Sequence, residues 1–374
     1  MASAILIGVA SGALMVRYAV DFEADRPLYE GILALAGMFV GMYLAMLFHI
    51  IVHEAGHLVF GLLTGYRFSS FRIYSFLWLR EEGKIRLKRL SIAGTGGQCL
   101  MSPPDMKDGK IPFVLYNLGG AISNILVGSA FLIGYFLCLN VPFLSTLFLL
   151  FAIVGFVIAL TNGIPMQIGM LDNDGYNALS LSRSEDAMKA FWVQLKVSEA
   201  TSKGIRLRDM PAEWFTVPSD EAMKNSMVAT GGAFVCNRLM DEERFEEADA
   251  LMAHLLALDS GMVGLYRGML ICDRMYVELI GKHRRDVVER MLTKEQKKFM
   301  IAMKRFPSVL RTEYALALLF EKDTGKAEKI RNEFEKVAKT YPYPHETDSE
   351  LELIEIARTV HLSETHESIS EASE

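Results

Sequence analysis

Phe48-His49-Ile50-Ile51-Val52-His53-Glu54-Ala55-Gly56-His57 joins two kinds of chemistry in one short word. It closes an apolar stretch that begins at Gly31 and holds no charged side chain up to Val52. A helix needs roughly 20 such residues to cross a bilayer core of about 30 Å, so this stretch reads as a membrane span. On a helix, positions i and i+4 share a face, and His53 and His57 can offer imidazole nitrogens to one ion. Glu54 stands next to that face, where it can reach a metal-activated water as general base. Such a five-residue pattern also arises by chance as two interfacial histidines and a solvated glutamate. An ionisable side chain against an apolar helix is costly, however, and functional by default.

The surrounding composition agrees with a membrane setting. Of the 374 residues 51% are hydrophobic and mean hydropathy is +0.23, yet 22% are charged. The average hides a partition at Leu171. Residues 1–171 carry 11 basic and 9 acidic side chains, and the remainder carries 28 basic and 36 acidic ones. From Ile111 to Leu171 there is no Asp, Glu, Lys or Arg, a run of 61 residues. A soluble helix keeps one wet face, so this run excludes a wholly soluble enzyme, and the composition excludes a disordered chain as well. Its length fits two spans, near 113–138 and 143–162, broken at Asn140, Val141 and Pro142. Ala2 to Val20, with Arg17 near its end, is a further span, giving about four. Residues 67–110 hold nine basic and four acidic side chains, which places that connection and the C-terminal part in the cytoplasm. Cys99, Cys138, Cys236 and Cys272 are scattered without CxxC spacing and read as free thiols in a reducing compartment, not a disulfide scaffold. A net charge of −6 gives no case for nucleic acid.

The cytoplasmic connection reads as a β-hairpin, Phe71 to Leu79 and Lys84 to Leu90 around Glu81-Glu82-Gly83. Gly94-Thr95-Gly96-Gly97-Gln98 follows, a flexible turn and not a phosphate loop. A catalytic zinc takes three protein ligands and a water, so a third ligand is needed. His49 lies about 12 Å of helix rise from His57, too far to share an ion with it. Asn162-Gly163-Ile164-Pro165 ends the last span, and Leu171-Asp172-Asn173-Asp174-Gly175 brings the first carboxylates after it. The second word also has the form of an ordinary turn and helix start, capped by an Asp or Asn.

With both words present, the chain resembles the site-2 protease family of intramembrane zinc metalloproteases, in the bacterial type without an inserted PDZ domain. The resemblance covers about residues 30–180. It implies one zinc ion held by His53, His57 and Asp174, with Glu54 as the base and Asp172 as the rival third ligand. Asn162 and Pro165 match the family's Asn-Pro-x-x-Pro, with Gly163 in place of the first proline. The resemblance further implies substrate contacts at Gly94, Gly96, Gly97, Asn162 and Pro165, where an unwound substrate helix meets a strand edge. Gly119-Gly120-Ala121-Ile122-Ser123-Asn124 resembles the small-residue helix that packs on the zinc helices, and Asn124 can face the site.

From about residue 184 soluble amphipathic helices take over. Arg244 to Met252 and Lys326 to Ile330 each follow a short turn, and Tyr314 to Leu319 precedes the second, as in tetratricopeptide units. The expected architecture is mainly α: a polytopic helical bundle with a small cytoplasmic β-hairpin region over 1–182, an all-α TPR-like cytoplasmic domain over 183–360, and a disordered acidic tail over 361–374. The functional reading is a multi-pass metalloprotease of a bacterial-type cell membrane that cuts a membrane-protein substrate helix, with its C-terminal domain open to a protein partner. The alternatives are a non-catalytic membrane adaptor and a metal transporter. Neither needs a base beside the ligands, and no two-fold hydrophobic repeat of the transporter kind is visible.

Overall fold

The structure is a computed structural model that describes residues 8–9, 12–14, 28–81, 83–92, 95–168 and 171–371. The expected span Ala2–Val20 lies almost wholly outside these residues, as does Gly94. Among the described residues three helices are long and apolar enough to cross a membrane. They are α1 (Leu28–Leu63), α2 (Val114–Leu137) and α3 (Pro142–Gly163). The last two match the expected spans to within a residue or so, because an uncharged run has only one feature to break it. Pro142 supplies that break and occupies the first turn of α3, where a missing N–H costs nothing. Leu33, Val40, Leu44, Leu126, Ile133 and Phe136 are each more than half exposed, an outward apolar face suited to lipid. α1 carries the HEAGH word without interruption from the apolar stretch and stops at Gly65, whose φ of +91° only glycine adopts freely.

Between α1 and α2 lies a four-stranded antiparallel sheet in the order β3-β2-β1-β4, larger than the expected hairpin. The strands are β1 (Arg67–Ile73), β2 (Phe76–Glu81), β3 (Lys84–Arg89) and β4 (Gly97–Ser102). The expected single strand Phe71–Leu79 is split at Tyr74, which turns the chain with φ +50° and lets Ile73 pair with Phe76. The turn at Gly83, φ +78°, joins β2 to β3 as expected. The glycine cluster becomes the start of β4, which pairs with β1 and leaves its other side at the end of the sheet.

After α3 a two-stranded ladder, β5 (Gln167–Ile168) and β6 (Leu171–Asp172), leads to α4 (Asp174–Arg183) and α5 (Glu185–Ser202). Ser184 ends one helix and caps the next through Ala187 N, so no linker separates the two halves. The helical half continues with α6 (Ser226–Asp241), α7 (Phe245–Ala257), α8 (Gly264–Ile280), α9 (Arg285–Met291), α10 (Lys294–Ala302), α11 (Pro307–Ala315), α12 (Thr324–Ala338) and α13 (Pro344–Glu371). The pairs α6–α7 and α11–α12 are built alike. Glu243 (φ +58°) and Lys322 (φ +57°) each stand two residues before the second helix, and Ala248 and Ala327 are buried against the first. One core runs from Tyr66, Met101 and Tyr116 through α5 into these helices. α13 is helical to Glu371, past His361 where a disordered tail is expected. Glu364 anchors it there by ion pairs to Lys322 at 2.5 Å and His283 at 3.2 Å, long-range partners that composition does not reveal.

Candidate metal centre

α1 and α2 meet almost backbone to backbone at Gly56 and Gly119. A Cβ on Gly56 would lie 2.5 Å from Ser123 Oγ, and one on Gly119 would lie 2.7 Å from the Gly56 carbonyl oxygen. Small residues permit this approach between membrane helices. The closeness brings the HEAGH turn within reach of polar groups on α2. His57 Nδ1 donates to the Tyr116 carbonyl oxygen at 2.7 Å. A carbonyl only accepts, so His57 carries its hydrogen on Nδ1 and keeps the Nε2 lone pair free for a ligand. The Asn124 amide stands between His53 Nδ1, at 3.3 Å, and His49 Nδ1, at 3.0 Å. Gly120 lies under the His53 ring, where a Cβ would come within 2.5–2.6 Å of three ring atoms.

The carboxylate comes from the far side. α3 unwinds after Gly163, and Asn173 ties the loose end together. Its amide nitrogen donates to the Thr161 and Ile164 carbonyls at 2.8 and 2.6 Å. Its oxygen accepts from Met166 N at 3.0 Å and from Tyr176 N at 2.8 Å, the latter being the N-cap of α4. Asp174 is thereby fixed as the first residue of α4. Gly175 lets the helix start press on the end of α3, since a Cβ there would lie 2.7 Å from the Gly163 carbonyl carbon.

These contacts bring His53, His57 and Asp174 together. Asp174 Oδ2 is 3.0 Å from His53 Nε2 and 3.4 Å from His57 Nε2, and the two Nε2 atoms are 3.2 Å apart. A tetrahedral zinc with bonds of about 2.0–2.2 Å sets neighbouring donors roughly 3.3–3.6 Å apart. Two imidazoles and one carboxylate are a donor set that zinc takes, and their separations of 3.0–3.4 Å reach the lower end of that range.

Asp172, the rival, points elsewhere: its carboxylate accepts from the Ser226 hydroxyl on α6. Burial pushes its carboxyl up against that hydrogen bond. The cap of α4 is Asn173, not an aspartate. Glu54 is buried beside these three residues and rests on β4, where a Cβ on Gly97 would lie 2.5 Å from Glu54 Cγ. Gly96 faces Ile50. Asn162 donates to Ile158 O of its own helix at 2.9 Å, and Pro165 is exposed; neither has a hydrogen bond to the three ligands among the described residues. His49 stays apart from these three residues, and its Nδ1 meets the Asn124 oxygen at 3.0 Å.

Three contributors lie outside the sequence reading. Tyr116 offers a backbone carbonyl, which no side-chain pattern can signal. Asn173 carries four hydrogen bonds that exist only once α3 and α4 meet. Arg72 on β1 is 1% exposed and donates to Tyr74 O at 2.8 Å, Thr95 Oγ1 at 2.6 Å and Gly97 O at 3.2 Å, which holds β4 against Glu54.

The family comparison meets this geometry. Residues 30–197 match the family model described as Peptidase M50B-like. This segment is a site-2 protease family domain. The match spans α1 to α5 and contains every residue of the candidate centre. No curated protein and no solved structure matches the chain.

Proposed function

We propose that the protein is an intramembrane zinc metalloprotease that hydrolyses a peptide bond within or near the transmembrane segment of a membrane-protein substrate. The observation that carries this reading is the convergence of His53 Nε2, His57 Nε2 and Asp174 Oδ2 at the spacing of a tetrahedral ion, with Glu54 beside them. Zinc held there supplies the Lewis acidity that lowers the pKa of a water towards about 7 and polarises the scissile carbonyl. Glu54 accepts the proton of the attacking water and returns it to the leaving amide nitrogen. Its burial excludes bulk water from that transfer. The Tyr116 carbonyl keeps His57 in the tautomer that coordinates through Nε2. The Asn124 nitrogen lies 3.3 Å from His53 Nδ1 and its oxygen 3.0 Å from His49 Nδ1; coordination of His53 through Nε2 goes with a 180° turn of that amide, which brings its oxygen to an Nδ1–H of His53.

The nine basic side chains of residues 67–110 support a cytoplasmic position for the sheet and for the helical half that shares its core. The paired turns of α6–α7 and α11–α12 support a TPR-like array able to bind a protein partner. The test compares three variants. Glu54→Gln is expected to keep zinc and abolish cleavage of a model transmembrane substrate, whereas His57→Ala and Asp174→Ala lose both. Equal loss of zinc from Glu54→Gln would make Glu54 a ligand and overturn the assignment.

A further inference from the structure

A cavity of about 430 Å³ lies between β4 and the helical half. This is within the size range of small-ligand and side-chain pockets. Gln98 and Leu100 of β4 form one wall, and α13 forms another through Glu346, Ser349 and Glu350. Gly97, the residue before Gln98, is the one that rests on Glu54, so the cavity opens one residue along the strand from the candidate centre.

Its charge is unbalanced. Arg206 and Arg311 line it together with four carboxylates, Asp241, Asp273, Glu346 and Glu350. Arg311 is 1% exposed; it bonds Glu350 at 2.9 Å and Asp273, and its Nη1 has no hydrogen-bond partner. Arg206 bonds Asp241 at 2.6 Å and also Glu352 at 2.7 Å. Glu346 is left over. The residue is exposed and lines the cavity, and among the described residues it has no ion-pair partner. The Tyr341 hydroxyl is within hydrogen-bond reach of it. Phe306, Tyr341 and Tyr343 line the same space, and aromatic faces attract cations.

We propose that this cavity is a specificity subsite that takes a lysine or arginine side chain from the cytosolic flank of the substrate's membrane segment. The inference rests on the protease reading above and names a class of substrate for it. Segments on the cytoplasmic side of a span carry an excess of Lys and Arg. β4 ends the sheet, and an unpaired strand edge is a template for an extended peptide. Side chains of an added strand alternate between the two faces, and the face shared by Gln98 and Leu100 opens into the cavity. A basic side chain entering there meets Glu346, the carboxylate without an ion-pair partner among the described residues, and lays its apolar stem along the tyrosines.

The test uses the full chain carrying Glu54→Gln, in detergent micelles, so that nothing is cut. The probes are fluorescent peptides with a Leu/Ala segment continued by either Gly-Ser-Lys-Lys-Ser or Gly-Ser-Gly-Gly-Ser, read by anisotropy. The lysine flank is expected to bind about tenfold tighter, the scale of one hydrogen bond to a charged group. Adding Glu346→Gln should erase that difference, and adding Glu346→Lys should turn the preference towards a Gly-Ser-Glu-Glu-Ser flank. Equal binding of the first two peptides, binding of neither, or a lysine preference that survives Glu346→Lys would overturn the subsite. The peptide comparison needs no change in the cavity, so a misfolded Glu346 variant does not shield the proposal. Failure of the protease reading would show separately, as absence of cleavage by the protein with Glu54 intact.

Discussion

The membrane half and the helical half bury polar groups by opposite means. Around the candidate centre His49, His53 and Asn124 join the ionisable Glu54, Asp174 and Arg72, and room for the rings is made by glycine. His53 lies over Gly120 and His49 over Gly155, where a Cβ would come within 2.9 Å of His49 Nε2. In the helical half the buried groups are charged, and opposite charge compensates them. Arg311 lies between Asp273 and Glu350 with its guanidinium 4.4 Å above the Tyr276 ring. A bilayer core offers no water to a stray charge, so the membrane half settles its polar groups by shape. The helical half instead assembles opposite charges against one another. The first is therefore sensitive to volume and the second to charge.

The strongest test of this contrast adds volume without charge. Gly120→Val should displace the His53 ring and leave no stoichiometric zinc and no cleavage. A zinc-replete Gly120→Val protein would mean that shape does not set this site. Next, Arg311→Met removes a charge while roughly keeping volume. Loss of one partner from a buried ionic group costs about 3–5 kcal/mol, because the remaining carboxylates are left uncompensated. A matching fall in unfolding free energy by urea titration, with zinc content unchanged in the folded protein, is expected; zinc release from the folded protein would couple the two halves. The smallest effect belongs to Asn124→Leu, which removes the hydrogen bond behind a ligand and not the ligand. Zinc affinity should fall about 10–100-fold, measured by competition with a chelator, with Asn124→Gln recovering part of it.

What the residues disclose before folding follows the same contrast. HEAGH is legible because helical spacing alone places its histidines, and α2 and α3 are legible because charge is absent over a long run. The choice of Asp174 over Asp172 is legible through the resemblance alone; its physical ground, Ser226 and Asn173 bonding across elements far apart in the chain, is not. The split of the expected strand at Tyr74 escapes because a tyrosine at positive φ leaves none of the usual glycine or proline marks. β4 escapes for the opposite reason: Gly97 suggests a loop, yet its missing side chain leaves space for Glu54. Glycines that make room for a neighbour look the same in sequence as glycines that turn the chain.

The length of α1 carries a consequence for the lipid around it. Glu30 and Glu54 bracket the uncharged part of this helix, about 36 Å apart at 1.5 Å per residue, against a hydrocarbon core of about 30 Å. With an average tilt of about 20° the span still exceeds the core by a few ångströms, so Glu54 sits close to the polar boundary. Hydrophobic mismatch then becomes a control on the chemistry. A thicker bilayer draws Glu54 and its neighbouring imidazoles below the headgroups, and a thinner one lifts them towards water. Cleavage in long-chain phosphatidylcholine vesicles should be slower than in short-chain ones. Membrane thickness, which differs between compartments and growth conditions, would set the rate without any ligand binding to the protein.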